Sequence, residues 1–212
     1  MALKPGTRLG PYEILAQIGA GGMGEVYKGR DTRLDRLVAV KTLPAHLAER
    51  PELRERFKRE AHAIANLKHA HICVLYDIGS QELEAEESEV RSQESEEEQV
   101  RAAPGRARAP LPTPHSPLAT PSARRSVRVD YLVMEYLEGE TLSERLKKGP
   151  LPLDQVLRYA EELADALDTA HRAEFTHRDI KPGNIMLTKE GSKLLDFGLA
   201  KMKQEIAQAI TP

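Results

Sequence analysis

The sequence contains a single cysteine, Cys73, which rules out an internal disulfide and suits a reducing cytoplasm. It also lacks long apolar runs: stretches such as residues 131–134 are far too short to span a bilayer, and the N-terminus has no apolar signal region. Neither charge is in large excess, since the formal net charge is -2. We therefore expect a cytoplasmic protein with no membrane segment and no nucleic-acid partner.

What the chain does contain is the composition of a globular protein, with 212 residues of which 40% are hydrophobic and 30% are charged. Strand-like composition with Gly or Asp boundaries predicts short strands at residues 12–18, 25–28, 37–43, 72–78, 129–135, 185–187 and 193–195. Apolar residues at helical spacing predict helices at 52–67 and 154–173. In the second helix, six side chains are predicted to form one apolar face: Val156, Leu157, Ala160, Leu163, Ala164 and Leu167.

Between two of the predicted strands the composition changes sharply. Residues 82–98 hold nine Glu, and residues 101–128 hold six Arg, six Pro and no acidic residue. Such a segment cannot bury enough apolar surface to offset the entropy lost on ordering. It is therefore predicted to be a disordered insertion at about 81–128, either a tolerated surface loop or a docking segment for a partner protein.

The first motif with chemical meaning is a glycine-rich run, Gly19-Ala20-Gly21-Gly22-Met23-Gly24-Glu25-Val26. Glycines at this spacing let a strand-turn-strand fold closely over phosphates, where any side chain would collide and backbone N–H groups can reach oxygens. A dinucleotide-binding loop has the same glycines, but a helix follows the last of them. Here the residues after Gly24 have strand character, which favours a nucleotide-covering hairpin.

The second motif is a lysine, Lys41, at the end of the apolar strand Val38-Ala39-Val40. A lysine inside an apolar strand is costly unless its charge is paired. Glu60 lies on the apolar side of the following predicted helix, and we expect it to be the partner of Lys41. The alternative is that both side chains are solvated.

Two further motifs lie near the end of the chain. Residues 177–184 read His-Arg-Asp-Ile-Lys-Pro-Gly-Asn, which places the carboxylate of Asp179, the ammonium of Lys181 and the amide of Asn184 within six positions. That set can accept a hydroxyl proton, neutralise a transferring phosphoryl group and hold a metal ion. Asp196 follows, next to Phe197 and Gly198, and its carboxylate suits Mg²⁺.

With these four motifs in this order, the sequence resembles the protein kinase superfamily, and specifically the bacterial serine/threonine kinases of eukaryotic (Hanks) type. The resemblance covers about residues 10–80 and 129–203. It implies an α+β, kinase-like two-lobe fold with a complete N-lobe, made of an antiparallel sheet plus one helix, and an incomplete helical C-lobe. The implied division is an N-terminal tail at 1–11, the N-lobe and hinge at 12–137 and a partial C-lobe at 138–212.

The resemblance also implies the ligands, ATP and Mg²⁺, and a protein substrate with a Ser or Thr acceptor. Asp179 would be the catalytic base and Lys181 would contact the γ-phosphate, while Lys41, paired with Glu60, would hold the α- and β-phosphates. Mg²⁺ would be held by Asn184 and Asp196. The nucleotide would contact Ile18, Gly19, Ala20, Gly21, Gly22, Met23, Gly24, Val26, Ala39, Lys41, Met134, Glu135, Leu137 and Met186.

The sequence departs from the family after Gly198, since no Ala-Pro-Glu motif follows before Pro212. The resemblance therefore implies a kinase truncated after its Asp-Phe-Gly motif. Three functions stay open at this point. They are transfer of phosphate to Ser or Thr, nucleotide binding with little transfer, and binding of a partner through the insertion.

Overall fold

In the computed structural model, residues 2–21, 24–43, 51–84 and 126–196 are described, and they include a six-stranded sheet. The strands have the order β1-β2-β3-β4-β6-β5. Their bounds are β1 Arg8–Leu9, β2 Tyr12–Gly21, β3 Gly24–Asp31, β4 Arg36–Thr42, β5 Leu75–Glu84 and β6 Ser126–Glu135. The first helix, α1, spans Pro51–Ile64.

Three of the predicted strands, at 12–18, 25–28 and 37–43, correspond to β2, β3 and β4, which form an antiparallel meander. β2 pairs antiparallel with β3, β3 with β4, and β4 with β6. Several apolar side chains on the strands are fully buried, among them Tyr27, Val38, Val40 and Val133. Burying these side chains removes apolar surface from water. Each Å² of buried apolar surface contributes about 25 cal/mol of favourable free energy, and this drives the sheet to form.

A smaller sheet and two helices form the second part of the fold. β7 (Glu140–Thr141), β8 (Ile185–Thr188) and β9 (Gly191–Leu194) pair antiparallel in that order. The helices are α2 (Leu142–Lys147) and α3 (Leu153–Arg172). Thr141 and Glu144 form a reciprocal capping box at the start of α2, which satisfies two backbone donors. No helix in the described part of the chain is long and apolar enough to cross a membrane.

One core cluster joins these elements to α1. It contains Ile64 and Leu67 from α1 and the turn after it, with Ile72 from the next segment. It also contains residues from α3, β8 and β9, namely Ala166, Ala170, Ile185, Leu187 and Leu194. By contacts, the chain divides into two compact units, Met1–Glu82 with Arg128–Pro212, and Leu83–Val127. The site described below lies in the first.

The structure differs from the sequence prediction at several boundaries. Residues 8–9, within the predicted N-terminal tail, pair with β2 as β1, and neither β7 nor α2 was predicted. The large-sheet strands also continue into the predicted insertion, to Glu84 on one side and from Ser126 on the other. Residues 85–125, the main part of that insertion, lie outside the described residues.

The predicted apolar face of α3 is largely wrong. Leu163 and Leu167 pack on the core as expected, but the fully buried residues of this helix are Ala166 and Ala170. Leu157 is 62% exposed, and the remaining predicted members Val156, Ala160 and Ala164 are exposed too. The physical reason is that α3 has apolar side chains on two faces, and the one with small alanines fits closely against β8 and β9.

Candidate active site

A cleft of about 590 Å³ lies beside the glycine-rich hairpin, the end of β6 and the start of the small sheet. Its walls come from both parts of the fold. The lining residues are Ile18, Gly19, Val26, Ala39, Cys73, Met134, Glu135, Tyr136, Leu137, Glu138, Gly139, Thr141, Glu144, Gly183, Met186, Leu195 and Asp196.

The glycine-rich run forms the hairpin that the sequence predicted. Gly19 pairs with Val26 and Gly21 pairs with Gly24 across β2 and β3. Gly24 has a φ of 104°, a backbone conformation that glycine adopts without steric cost. The hairpin places Ile18, Gly19 and Val26 against the cleft.

Most of the predicted nucleotide-contacting residues line this cleft. The structure brings eight of them together there: Ile18, Gly19, Val26, Ala39, Met134, Glu135, Leu137 and Met186. Four others that the structure describes are not among the lining residues, namely Ala20, Gly21, Gly24 and Lys41. Gly22 and Met23 lie outside the described residues.

The sequence analysis did not predict the part of the cleft lining that follows residue 137 in the chain. The lining there includes Glu138, Gly139, Thr141 and Glu144, in and around the short elements β7 and α2 that were not predicted. Among these residues, Gly139 is the one whose residue type could have indicated a special position in the sequence. It has a φ of 151°, and a Cβ added there would lie 2.0 Å from the Leu187 carbonyl oxygen, so only glycine fits.

Cys73 also lines the cleft. Burial raises the pKa of its thiol to about 12, and the nearby carboxylates of Glu135 and Asp196 add to the rise. The thiol is therefore protonated at neutral pH and behaves as an apolar wall. Its Sγ lies 3.8 Å from the Glu135 carbonyl oxygen, to which it donates a weak hydrogen bond.

Lys41 is buried at the end of β4, and its ammonium is paired. Its Nζ lies 2.7 Å from Oδ2 of Asp196. The pair joins the large sheet to the segment that follows β9. The side chain of Glu60, the partner expected from the sequence, lies outside the described residues, so that pairing stays a prediction.

The loop before β8 holds three polar side chains in contact. Lys181 Nζ lies 2.7 Å from Asp179 Oδ2. The Asn184 side-chain amide donates to the Asp179 carbonyl oxygen at 2.8 Å and to its Oδ2 at 3.2 Å. The Asp179 carboxylate is thus held by an ammonium and an amide.

His177 connects this loop to the segment carrying Asp196. Its Nδ1 accepts from the Asp179 backbone N–H at 3.3 Å, and its Nε2–H donates to the Leu195 carbonyl oxygen at 2.8 Å. The Leu195 N–H in turn donates to the Asn184 carbonyl oxygen at 2.9 Å. Burial lowers the pKa of His177, so the neutral imidazole can serve as both donor and acceptor.

The chain matches the protein kinase domain over residues 12–90 and 122–210, which is most of its length. It belongs to the protein kinase family. The matched ranges include the glycine-rich hairpin, Lys41, the Asp179 loop and Asp196.

Two relatives of this kinase chain illustrate its similarity to bacterial kinases. It is 36% identical over 204 residues to a probable serine/threonine-protein kinase of Streptomyces coelicolor, covering 95% of this chain and 24% of that protein. It is 35% identical over 197 residues to the serine/threonine-protein kinase PknA of Mycobacterium tuberculosis, covering 92% and 36%. The chain therefore spans about a quarter to a third of these curated relatives.

Solved kinase domains share the fold. The kinase domain of PknI from Mycobacterium tuberculosis superposes with a TM-score of 0.65 at 26% identity. That comparison covers 94% of this chain and 64% of the PknI domain. The two-lobe α+β fold predicted from the sequence is thus confirmed.

Protein kinases use ATP and Mg²⁺, and the donor set here fits a magnesium site. Asn184 supplies an amide and Asp196 a carboxylate, on two segments joined by the Leu195–Asn184 hydrogen bond. Mg²⁺ prefers one or two protein oxygens and completes its shell with water and phosphate. The described residues contain no cluster of three His, Cys, Asp or Glu side chains placed to hold a metal ion.

Proposed function

We propose that this protein is an ATP-dependent serine/threonine kinase that transfers the γ-phosphoryl group of Mg·ATP to a protein hydroxyl. The observation that carries the proposal is the constraint on Asp179. Its carboxylate is held by Lys181 and Asn184 in the loop whose Gly183 borders the cleft. A fixed carboxylate next to a nucleotide-sized cleft is what proton abstraction from an acceptor hydroxyl requires.

The adenine of ATP would occupy the apolar end of the cleft. Val26 and Ala39 would form one wall and Met186 the other, while backbone groups of Glu135 and Leu137 would offer hydrogen bonds to the ring edge. All five residues line the cleft, which supports this placement. The phosphates would extend toward Lys41, whose ammonium supplies a fixed positive charge.

The metal end of the site would be formed by Asn184 and Asp196. Bound there, Mg²⁺ would neutralise charge on the phosphate oxygens. Asp196 would divide its charge between the metal ion and Lys41, which it contacts at 2.7 Å.

Asp179 would accept the proton of the Ser or Thr hydroxyl as that oxygen forms its bond to the γ-phosphorus. The bond from the γ-phosphorus to the β,γ-bridging oxygen breaks at the same step, and ADP leaves. Lys181, which lies 2.7 Å from Asp179, would contact the transferring group and offset its charge. Lysine two positions after the aspartate resembles the serine/threonine class, so we propose a protein Ser or Thr as acceptor, in the cytoplasm.

A second candidate is nucleotide binding with little transfer by the 212-residue chain, and the outer face of α3 favours it. Leu153 is 72% exposed and Leu157 62% exposed on the helix that precedes the Asp179 loop. A loop supported by an uncovered helix is less firmly positioned, and misplacement of about 1 Å can cost roughly a hundredfold in rate.

Two further predictions from the sequence remain proposals. They are the lobe division at residue 137 and a protein partner for the 81–128 insertion.

One experiment separates the candidates. Wild type and Asp179→Asn are incubated with radiolabelled ATP, Mg²⁺ and a generic Ser/Thr substrate, and nucleotide affinity is measured in parallel. Transfer that Asp179→Asn abolishes supports the kinase, and binding with negligible transfer supports the second candidate. Absence of Mg·ATP binding would overturn both.

A further inference from the structure

A second lysine, which is partly buried, reaches the hinge, by which we mean residues 135–137. Lys193 lies on β9, three positions before Asp196. Its Nζ is 2.8 Å from both carboxylate oxygens of Glu135, at the end of β6. The Lys193 side chain is 14% exposed and that of Glu135 is 23% exposed. The predicted role of Glu135 uses only its backbone. Its carboxylate contacts Lys193 and also accepts from the Val74 backbone N–H at 3.4 Å.

Backbone hydrogen bonds surround the Lys193–Glu135 pair on both sides. The segment 71–74 runs between β9 and the hinge. Cys73 N–H donates to the Leu194 carbonyl oxygen at 2.9 Å, and Leu194 N–H donates to the His71 carbonyl oxygen at 2.9 Å. On the other side, Glu135 N–H donates to the Val74 carbonyl oxygen at 2.9 Å. The side-chain pair therefore spans segment 71–74, whose backbone hydrogen bonds already connect β9 to β6.

This contact differs from the surface ion pairs of the chain. Arg172 and Asp168 on α3 are 2.9 Å apart, but their side chains are 80% and 55% exposed. Water and salt screen such a pair, and its contribution is small. Lys193 and Glu135 are mostly withdrawn from water, so each depends on the other for compensation of its charge. Their geometry is correspondingly more constrained.

We propose that Lys193 and Glu135 form a positioning pair that fixes the spacing between the two ends of the nucleotide site. Glu135 belongs to the adenine end, and Asp196, three residues after Lys193, belongs to the phosphate and metal end. The inference rests on the proposed nucleotide site. Neither Lys193 nor the Glu135 carboxylate needs to touch the nucleotide, since the pair acts through the hinge backbone and through Asp196.

The proposal predicts different effects on the affinities for two ligands, Mg·ATP and adenosine. Mg·ATP spans both ends, so its affinity depends on their spacing. Adenosine occupies the adenine end alone and is indifferent to where Asp196 lies. A pair that merely stabilised the fold, or the hinge alone, would affect both ligands alike.

The test compares Lys193→Met, which removes the charge but keeps an unbranched chain, with Lys193→Arg, which keeps it. Glu135→Gln is a second route to the same loss, and Arg172→Met is the control at an exposed pair. Affinities of the full 212-residue chain for Mg·ATP and for adenosine are measured by displacement of a fluorescent nucleotide. Thermal midpoints verify that each variant is folded.

We expect Lys193→Met and Glu135→Gln to weaken Mg·ATP by at least about tenfold, at the low end of what coupling between close charges produces. Adenosine should change less than about twofold by the same reasoning, because it does not span the pair. Lys193→Arg and Arg172→Met should bind as wild type does.

Unchanged Mg·ATP affinity in Lys193→Met and Glu135→Gln would overturn the inference while leaving the proposed function intact. So would an equal loss for adenosine, or a Lys193→Arg variant as weak as Lys193→Met. A wild-type chain that fails to bind Mg·ATP would instead overturn the proposed function itself, and this inference with it.

Discussion

The ammonium of Lys41 lies 2.7 Å from Oδ2 of Asp196, and the two side chains are 6% and 21% exposed. β4 of the large sheet and the segment after β9 are thus joined by one ion pair at the edge of the cleft. Removing one member of a buried pair leaves the other uncompensated, whereas removing both does not. The pair therefore affects the free energy of unfolding, and this effect can be measured separately from its role in nucleotide binding.

We predict that Asp196→Ala lowers the free energy of unfolding by about 2–3 kcal/mol, less than for a fully buried pair because Asp196 keeps some contact with water. Lys41→Met combined with Asp196→Ala should recover part of that loss. Urea unfolding of the single and double variants measures both effects. Strictly additive losses would show that the two charges do not interact.

Stability should depend on pH through His177. Burial lowers the pKa of this histidine from its ordinary value of 6.5, so below about pH 6.5 the unfolded chain binds a proton that the folded chain resists. The contribution of His177 is complete above about pH 6.5 and is lost as the pH falls toward the folded-state pKa, with a slope of at most about 1.4 kcal/mol per pH unit.

The measurement for His177 is urea unfolding of wild type and His177→Gln between about pH 5 and 8, the range in which histidine titrates. The variant should be less stable at pH 8, since it loses the hydrogen bond to Leu195, and should show a flatter decline in acid. Parallel pH profiles would contradict the assignment.

Cys73 is expected to be chemically inert in the folded chain. With its pKa raised to about 12, the thiolate that iodoacetamide requires is scarce at pH 8. Alkylation should be at least about a hundredfold slower than in the urea-unfolded chain. Mass spectrometry of timed samples gives both rates, and the chain has no second cysteine to confuse the result. Comparable rates would mean that the thiol is ionised or freely accessible.

The orientation of α3 can be tested with two substitutions on opposite faces. Leu157→Gln changes an exposed side chain and should alter stability by less than about 0.5 kcal/mol. Ala166→Leu forces a larger side chain into a fully buried position and should cost about 1–3 kcal/mol. The reverse ranking would show that the face predicted from sequence periodicity is the one that docks.

Local rules were enough to predict the parts of the site that depend on backbone chemistry. The glycine spacing at residues 19–24 predicted the hairpin, and the apolar alternation around Ala39 predicted the strand that carries Lys41. Eight of the predicted nucleotide-contacting residues line one cleft, because they lie on regular strands or directly after one. The resemblance supplied their expected roles, which geometry alone does not test.

Tertiary packing determined the structural features that could not be predicted from the sequence. Periodicity along α3 does not distinguish its two apolar faces, and the fit of Ala166 and Ala170 against the small sheet selects one. The two-residue strand β7 has too little sequence to show a period. The Lys193–Glu135 contact joins residues 58 positions apart, and nothing local to either of them indicates it.

Titration of Mg·ATP into wild type and Lys41→Met by calorimetry tests the proposed nucleotide site most directly. In the proposed site Lys41 would supply the positive charge at the phosphate end. Hydrogen bonds to charged groups contribute about 1.5–3 kcal/mol, so the variant should bind roughly 10–100-fold more weakly. Adenosine affinity should be nearly unchanged, which shows that the adenine end is still formed. Equal affinity of the two proteins for Mg·ATP, or no binding by either, would contradict the proposed site.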